Sequence, residues 1–184
     1  MTAPSDEALM IGARDGDLSR FSLLFERHQR AMFQYFCRMQ GDRGQSEDLV
    51  QEVFLRALRY RRTYREHYPF TAWMYQIARN VWKDNMPDAR QQPMDGRAAK
   101  AASRAPGPEE RAARDEQARM LRRALEELPE DKREVLILSR YQGLSYEEIS
   151  AILGCEINTV KTRVFRAVRS LSEIYQRLQA GRSV

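Results

Sequence analysis

The chain contains little cysteine and little histidine. Its 184 residues include two of each, Cys37, Cys155, His28 and His67. These residues lie too far apart for a zinc-ligand motif, and two distant cysteines favour a reducing, cytoplasmic compartment. We therefore expect no metal ion and no cofactor.

Long apolar runs and strand patterns are missing as well. No segment approaches the roughly 20 apolar residues that a membrane span requires, and the N-terminal MTAPSDEALM lacks the basic start and apolar stretch of a signal peptide. We expect a cytoplasmic protein without membrane insertion. Because helical periodicity runs through nearly every segment, the sequence predicts an all-α fold.

One segment interrupts the helical pattern. Residues 85–111 hold four of the seven prolines, two glycines and hardly any large apolar residue, which is typical of a linker. The sequence therefore predicts two small helical domains, at about 5–86 and 112–178, joined by a flexible linker at 87–111. The expected helices span about 5–15, 17–40, 45–61, 70–85, 112–127 and 130–141, followed by a helix-turn-helix.

The helix-turn-helix prediction comes from the segment LSYEEISAILG, residues 144–154, and the helix after it. Ser145 and Glu148 form a capping box, and Gly154 ends the short helix. A basic second helix follows, and in this motif the second helix enters the DNA major groove. The net charge of +5 suits a polyanionic partner without demanding one.

The second helix has an apolar and a basic side. The apolar stripe predicted to face the core comprises Ile157, Val160, Val164, Ala167, Val168 and Leu171. The outward side carries Thr159, Lys161, Thr162, Phe165, Arg166 and Arg169. Lysine, arginine and threonine can bind phosphates and base edges, and phenylalanine can contact a thymine methyl. A merely solvated charged face is the alternative.

The segment SEDLVQEVFLRALRY, residues 46–60, has an outward face that a core does not explain. Leu55 lies on it between Asp48, Gln51 and Glu52. A small apolar centre inside a polar rim is typical of a protein contact. A scattered surface leucine is the alternative.

A third face belongs to FTAWMYQIARNVWKD, residues 70–84. Its polar side carries Tyr75, Gln76, Arg79, Asn80 and Lys83, and we assign Trp73 and Trp82 to the core. The preceding segment 59–70 interleaves aromatic and basic residues, which suits single-stranded nucleic acid because bases can stack on the rings. A tyrosine-rich edge of the core is the alternative.

Four motifs in this order resemble those of a bacterial RNA polymerase sigma factor. They are EDLVQEVFLRAL, FTAWMYQIARNVWKD, ALEELPEDKREVLILSRYQGLSYEEISAILG and NTVKTRVFRA. The resemblance is to the extracytoplasmic-function (ECF, group IV) type of the sigma-70 family and covers about residues 7–178. It implies a two-domain initiation factor, not an enzyme. Such a factor binds core polymerase, recognises the minus-ten and minus-thirty-five promoter elements, and helps to melt the DNA.

The resemblance also implies roles for individual residues. Contacts with core polymerase, through the β′ clamp helices and with the β subunit as a further partner, are assigned to Asp48, Gln51, Glu52 and Leu55. The loop 61–69 and the following helix match the minus-ten segment, with Tyr64, Gln76, Arg79, Asn80 and Lys83. Lys161, Thr162, Phe165 and Arg166 match the minus-thirty-five reading positions, and we assign Thr159 and Arg169 of the same outward face to this element as well.

Two departures from the family pattern stand out. Asn158 occupies a position where the family often has glycine, which can alter how the recognition helix starts. The strongly basic run that usually follows Asp84 is replaced here by the less basic NMPDARQQ. We therefore expect the N-terminal domain to bind upstream duplex DNA less strongly.

Two alternatives to an initiation factor differ in what they need from the chain. A sigma mimic would titrate an anti-sigma factor without binding promoters, but the added receiver domain of such mimics is missing and a basic face on residues 159–169 would be superfluous. A nuclease would need metal-binding carboxylates, yet Asp6, Asp15, Asp17 and Asp42 have no such spacing. Without a sensing domain of its own, the chain is expected to be controlled from outside, by an anti-sigma factor.

Overall fold

The computed structural model describes residues 3–85 and 108–181, with side chains given from 116 onward in the second range. The helices of the N-terminal domain are α1 (Asp6–Arg14), α2 (Leu18–Gln40), α3 (Arg43–Tyr60) and α4 (Phe70–Asn85), with a 3₁₀ turn at Arg61–Thr63. Those of the C-terminal domain are α5 (Pro108–Glu126), α6 (Glu130–Leu136), α7 (Tyr146–Leu153) and α8 (Ile157–Ala180), with a π-helical turn at Ile137–Tyr141. Neither described range contains a strand, and the all-α prediction is confirmed.

The predicted linker is partly helical. Helix α5 begins at Pro108, inside the segment 87–111, whereas the sequence predicted its start near 112. Proline is favoured at the first helical position because its missing N–H would have no partner there in any case. The remainder of the predicted linker, up to residue 107, lies outside the described residues.

The helix ends follow the capping signals in the sequence. Ser145 accepts a hydrogen bond from the Glu148 backbone N–H at 3.1 Å, and Glu148 accepts one from the Ser145 N–H at 2.9 Å, so the predicted capping box is present. Gly154 ends α7 with φ +64°, a left-handed conformation that favours glycine. These two signals fix the bend of the helix-turn-helix.

The core of the N-terminal domain lies among α1, α2, α3 and α4. The apolar stripe of α3 is buried: Leu49, Val50, Val53, Phe54 and Ala57. Trp82 is buried, with its ring stacked on Phe36 at 6.5 Å between centroids, and Trp73 packs half-buried at the core edge. Both tryptophans therefore have the core role predicted for them.

The stripe predicted for α8 is narrower than expected. Val160, Val164 and Ala167 are buried, whereas Ile157 and Val168 are exposed. Helix α8 packs on α5, α6 and α7, and these three helices cover only one strip along it. Ile157 is the first residue of the helix and Val168 lies at the edge of the strip, so the prediction that both face the core was wrong.

The two domains pack against each other. Helix α4 lies on α7, and α2 contacts α5, α6 and the π-helical turn. Buried apolar residues from both domains form one continuous cluster. This packing therefore determines which of the predicted contact faces are exposed.

Candidate nucleic-acid and polymerase interfaces

The outward face of α8 is open to solvent. Its exposed residues are Lys161, Thr162, Phe165, Arg166 and Arg169, and Thr159 is half-buried. Phe165 is 70% exposed, the largest value among the exposed large apolar residues described. The Phe165 ring is exposed to solvent among basic side chains and does not pack in the core. This exposure favours a contact function for the face.

The start of α8 is regular despite the absence of glycine at position 158. Asn158 is the second residue of the helix, and its carbonyl accepts a hydrogen bond from the Thr162 hydroxyl at 3.0 Å. At the other end of the face, Arg169 pairs with Glu173 at 3.0 Å, and both side chains are exposed. Lys161, Phe165 and Arg166 therefore project from a complete helical turn, with Arg169 one turn further on.

The outward face of α3 has the arrangement expected of a protein contact. Leu55 is 60% exposed, Asp48 and Gln51 are exposed, and Glu52 is half-buried. The Glu52 carboxylate is held by Arg56, whose Nε lies 2.6 Å from Oε1. Arg56 Nη1 pairs with Asp84 of α4. This ion-pair network therefore links the outward face of α3 to α4.

Beside this face runs a shallow open cleft of about 590 Å³. It is lined by Gln45, Asp48, Leu49, Glu52, Arg56 and Asn85. The polar rim is therefore continuous from the end of α4 to the acidic side of α3. Such a surface suits a basic or mixed-charge partner better than a small apolar molecule.

One edge of α4 is open and adjoins Tyr60. A cleft of about 390 Å³ is lined by Arg56, Tyr60, Ile77, Asn80, Lys83 and Asp84. The Tyr60 ring is 48% exposed, and Asn80 and Lys83 are exposed as well. An aromatic ring, an amide and an ammonium group around one cleft can stack on a base, bond its edge and neutralise its phosphate.

Tyr60 was not among the residues singled out from the sequence. It belongs to the aromatic and basic segment 59–70, so the signal was present in the sequence. The sequence predicted the end of this helix near residue 61, but it did not indicate that the Tyr60 ring projects beside α4.

The other edge of α4 is covered by the C-terminal domain. Gln76 Nε2 donates to the Ala151 carbonyl at 2.8 Å, and Arg79 Nη1 donates to the Ile152 carbonyl at 3.2 Å. Arg79 Nε also pairs with Glu134 Oε1 at 2.7 Å. Two of the side chains assigned to the minus-ten element are therefore bound by the partner domain in this conformation.

Tyr75 lies on the part of α4 that the C-terminal domain covers. The sequence placed it on the outward polar side of α4, but it is buried, with its ring 5.4 Å from that of Tyr35. Burial raises the pKa of the Tyr75 phenol, with the negative charge of Glu148 adding to the effect. The placement of Tyr75 on an exposed face was wrong because a helix face can be outward for its own domain and still be inside the whole chain.

Tyr64 is also a core residue. Its side chain is 2% exposed and its ring contacts those of Phe70 and Trp73 at 6.4 and 5.4 Å between centroids. Its hydroxyl donates to the Tyr68 carbonyl at 2.5 Å, and burial raises its pKa to about 12. In this conformation the ring cannot stack on a base. The exposed side chains of the loop include Arg62, Arg65 and His67.

The acidic, histidine and cysteine side chains that the structure describes do not gather into a metal-binding cluster. The described residues contain no group of three or more histidine, cysteine, aspartate or glutamate side chains that could hold a metal ion. The carboxylates that a nuclease would need have structural contacts instead: Asp6 pairs with Arg27 at 2.8 Å, and Asp42 caps α3. No helix of the described part of the chain is long and apolar enough to span a bilayer.

Comparison with family models gives two matches. Residues 24–92 match the model of sigma-70 region 2, and residues 118–171 match that of sigma-70 region 4. The first begins inside α2 and covers α3 and α4, and the second ends inside α8 and includes the helix-turn-helix.

Several curated proteins are similar over nearly the whole length. The chain is 33% identical to the ECF RNA polymerase sigma-E factor of Escherichia coli K12 over 184 residues, covering 95% of the chain and 96% of the relative. It is 29% identical to the RNA polymerase sigma-H factor of Pseudomonas aeruginosa over 188 residues, covering 97% of each.

Two solved complexes contain chains with a similar fold. CnrH, in complex with the cytosolic domain of CnrY, matches with a TM-score of 0.72 and 27% identity, covering 93% of this chain and 97% of that one. The sigma factor RpoE of Bartonella quintana, in complex with the anti-sigma factor NepR, matches with a TM-score of 0.66 and 25% identity, covering 85% and 96%.

Proposed function

Because this chain belongs to the ECF group of the sigma-70 family of RNA polymerase sigma factors, we propose that it directs core RNA polymerase to promoters in the cytoplasm. Factors of this family initiate transcription and are not enzymes. The observation that carries the proposal is the exposed basic face of α8, with Phe165 at its centre.

Helix α8 binds the minus-thirty-five element in this proposal. Lys161, Arg166 and Arg169 neutralise phosphates or bond guanine edges, and Phe165 contacts a thymine methyl in the major groove. The phosphate contacts position the domain and supply salt-dependent affinity. Each good contact with a base contributes about 1 to 3 kcal/mol of discrimination.

The minus-ten element is bound as a single strand by α4 and Tyr60. Extruding a base from the duplex costs a few kcal/mol, and stacking on an aromatic ring offsets about 1 to 3 kcal/mol per base. The cleft beside Tyr60, with Asn80 and Lys83 on its wall, supports this role. Gln76 and Arg79 join the contact once the C-terminal domain has moved away from them. Tyr64 acts indirectly, by holding the loop.

Core polymerase binds the outward face of α3. Leu55 inserts into an apolar depression of the partner, while Asp48, Gln51 and Glu52 pair with its polar groups at the rim. The clamp helices of the β′ subunit are the proposed partner, as the family resemblance implies. The exposure of Leu55 and its ring of polar neighbours supports this assignment.

An anti-sigma factor is the proposed regulator. RpoE of B. quintana has been solved with the anti-sigma factor NepR, and CnrH with the cytosolic domain of CnrY, and this chain is similar to both over most of its length. A protein partner of this kind would cover the faces that bind polymerase and promoter.

Reconstituted transcription tests the proposal. Core RNA polymerase is mixed with the purified protein and fragmented bacterial genomic DNA, and the 5′ ends of the transcripts are sequenced. We expect new start sites that share two upstream sequence elements, with core polymerase alone as the background control. A protein that binds an anti-sigma factor but yields no such start sites would be a sigma mimic, and the proposed function would be wrong.

A further inference from the structure

Helix α4 begins without a capping side chain next to it in the sequence. Pro69, the residue before the helix, has no side-chain oxygen, although its carbonyl accepts the Trp73 N–H at 3.1 Å. The first turn of α4 also contains no acidic side chain. The N–H groups of a first turn have no partner within the helix, and together they carry a partial positive charge. An acceptor from another part of the chain would therefore stabilise the start of α4.

Glu7 of α1 provides such an acceptor. Its Oε1 accepts a hydrogen bond from the Phe70 N–H at 3.2 Å, although the two residues are 63 positions apart. Phe70 is the first residue of α4, and its side chain is buried. A carboxylate at a helix N-terminus satisfies a free donor and interacts favourably with the helix dipole. Glu7 is therefore an N-cap of α4 that comes from a different helix.

Asp6, the residue before Glu7, holds this end of α1 against α2. Its carboxylate lies 2.8 Å from Arg27 Nη1 and 2.6 Å from His28 Nε2, and both partners belong to α2. The His28 ring in turn packs on that of Phe70, with 5.2 Å between the ring centroids. These contacts join α1, α2 and the start of α4, and they restrict where the Glu7 carboxylate can lie.

The loop 61–69 rests on the same group of residues. The buried ring of Tyr64 lies 6.4 Å from that of Phe70, between centroids. Burial, and after it the nearby negative charges of Glu7 and Asp6, raise the pKa of Tyr64 to about 12. The loop and the first turn of α4 therefore share one support, the N-terminal turn of α1.

We propose that Glu7 is a positioning residue for the minus-ten element, because its carboxylate caps α4 and so holds the loop 61–69 in the conformation that meets the DNA. This inference rests on the proposed function, since it takes α4 and the loop as the minus-ten segment. Glu7 is half-buried, and it acts through Phe70 rather than by touching the DNA. Without the cap, the first turn of α4 frays and the loop loses its fixed end. Ordering the loop again on binding then lowers the affinity.

Three substitutions of Glu7 separate the hydrogen bond from the charge. Glu7→Ala removes both. Glu7→Asp keeps the charge but shortens the side chain by one methylene, so that its oxygen no longer reaches the Phe70 N–H. Glu7→Gln keeps the length and the accepting oxygen but loses the charge.

The measurement is the affinity of full-length protein, bound to excess core polymerase, for a labelled single-stranded minus-ten oligonucleotide. Fluorescence anisotropy gives the affinity, and the oligonucleotide sequence is taken from the mapped start sites. We expect Glu7→Ala and Glu7→Asp to lower the affinity about fivefold, the usual effect of one lost cap. Glu7→Gln should stay within about twofold of the wild type, because it loses only the interaction of the charge with the helix dipole.

Asp42→Ala is the matched control for a general loss of stability. The Asp42 carboxylate caps α3 by accepting the Gln45 N–H at 2.8 Å. Its removal should lower the melting temperature about as much as Glu7→Ala does, yet leave the affinity for the minus-ten strand unchanged. If Glu7→Ala does not fold, as judged by circular dichroism, the comparison of Glu7→Asp with Glu7→Gln decides the question.

Three results would overturn the positioning role. They are wild-type affinity in Glu7→Ala and Glu7→Asp, a loss in Asp42→Ala as large as in Glu7→Ala, and a loss in Glu7→Gln as large as in Glu7→Asp. The wild type tests the proposed function separately. If its complex with core polymerase binds the minus-ten strand no better than a scrambled strand, the proposed function fails. If it prefers the minus-ten strand and the Glu7 variants bind equally well, only the role of Glu7 fails.

Discussion

Arg79 of α4 and Glu134 of α6 form an ion pair with 2.7 Å between Nε and Oε1, across the contact between the two domains. Arg79, which we propose to bind the minus-ten element, is therefore paired with the C-terminal domain in this conformation. The contact between the domains covers part of the proposed minus-ten face and leaves Tyr60, Asn80 and Lys83 exposed.

Removing one cation from the outward face of α8 should weaken duplex binding. Arg166→Ala is expected to cost about 1 to 3 kcal/mol at the minus-thirty-five element, because the arginine bonds a base edge or phosphate without packing in the core. The measurement is a titration of minus-thirty-five duplex with the purified protein. Gln176→Ala, an exposed change further along α8, is the control. Equal affinities for the two variants would contradict the assignment of this face.

Changes on the outward face of α3 should affect polymerase binding alone. We expect Leu55→Ala, and likewise the pair Asp48→Ala with Gln51→Ala, to lower affinity for core polymerase by at least about 1 kcal/mol, as removal of a contact centre does. The affinity is measured by anisotropy with labelled protein. Glu26→Ala, an exposed acid on α2, serves as the control. Normal polymerase binding by the α3 variants, with their thermal unfolding unchanged, would rule out this face.

The capping box of α7 should contribute measurably to stability. Ser145→Ala removes the side-chain acceptor of the Glu148 N–H and should lower the free energy of unfolding by about 1 kcal/mol. The exposed Ser172→Ala on α8 should change it by less than about 0.5 kcal/mol. Urea unfolding followed by circular dichroism gives both values. A similar loss in both variants would mean that the cap is not responsible.

Alkaline titration should show that four of the eight tyrosines ionise late. Burial raises the pKa of Tyr35, Tyr75 and Tyr141 above the usual value near 10, and that of Tyr64 to about 12. Because these pKa values are higher in the folded state, their contribution to stability is fully present below about pH 10 and is lost as the pH rises through the folded values.

Absorbance of phenolate measures this titration. We expect Tyr35, Tyr64, Tyr75 and Tyr141 to ionise only above about pH 10, together with loss of helical circular dichroism. If these four tyrosines ionised near pH 10 while the helices remained intact, the burial of their rings would be contradicted.

Local signals in the sequence predicted the helices well. The capping box at Ser145 and the turn at Gly154 depend on residues a few positions apart, and so does the buried stripe of α3. The fold class, the helix-turn-helix and the outward position of Leu55 and Phe165 follow from such short-range patterns.

Contacts between distant residues could not be predicted in this way. Gln76 and its acceptor Ala151 are 75 positions apart, and Arg79 and Glu134 are 55 positions apart. A polar side chain on an outward helix face has the same pattern whether it meets water, DNA or another domain. For the same reason Tyr64 resembled an exposed ring among arginines, although the loop closes on itself and buries it against Trp73.

Permanganate footprinting of promoter DNA bound by core polymerase and this protein tests the proposed mechanism most directly, since permanganate oxidises unpaired thymines. We predict reactive thymines in the minus-ten element with the wild type. With Asn80→Ala and Lys83→Ala combined, we predict that this reactivity is lost while protection of the minus-thirty-five element from DNase I, measured in parallel, persists. Unreactive thymines with the wild type, or undiminished reactivity with the double variant, would contradict the assignment of melting to α4.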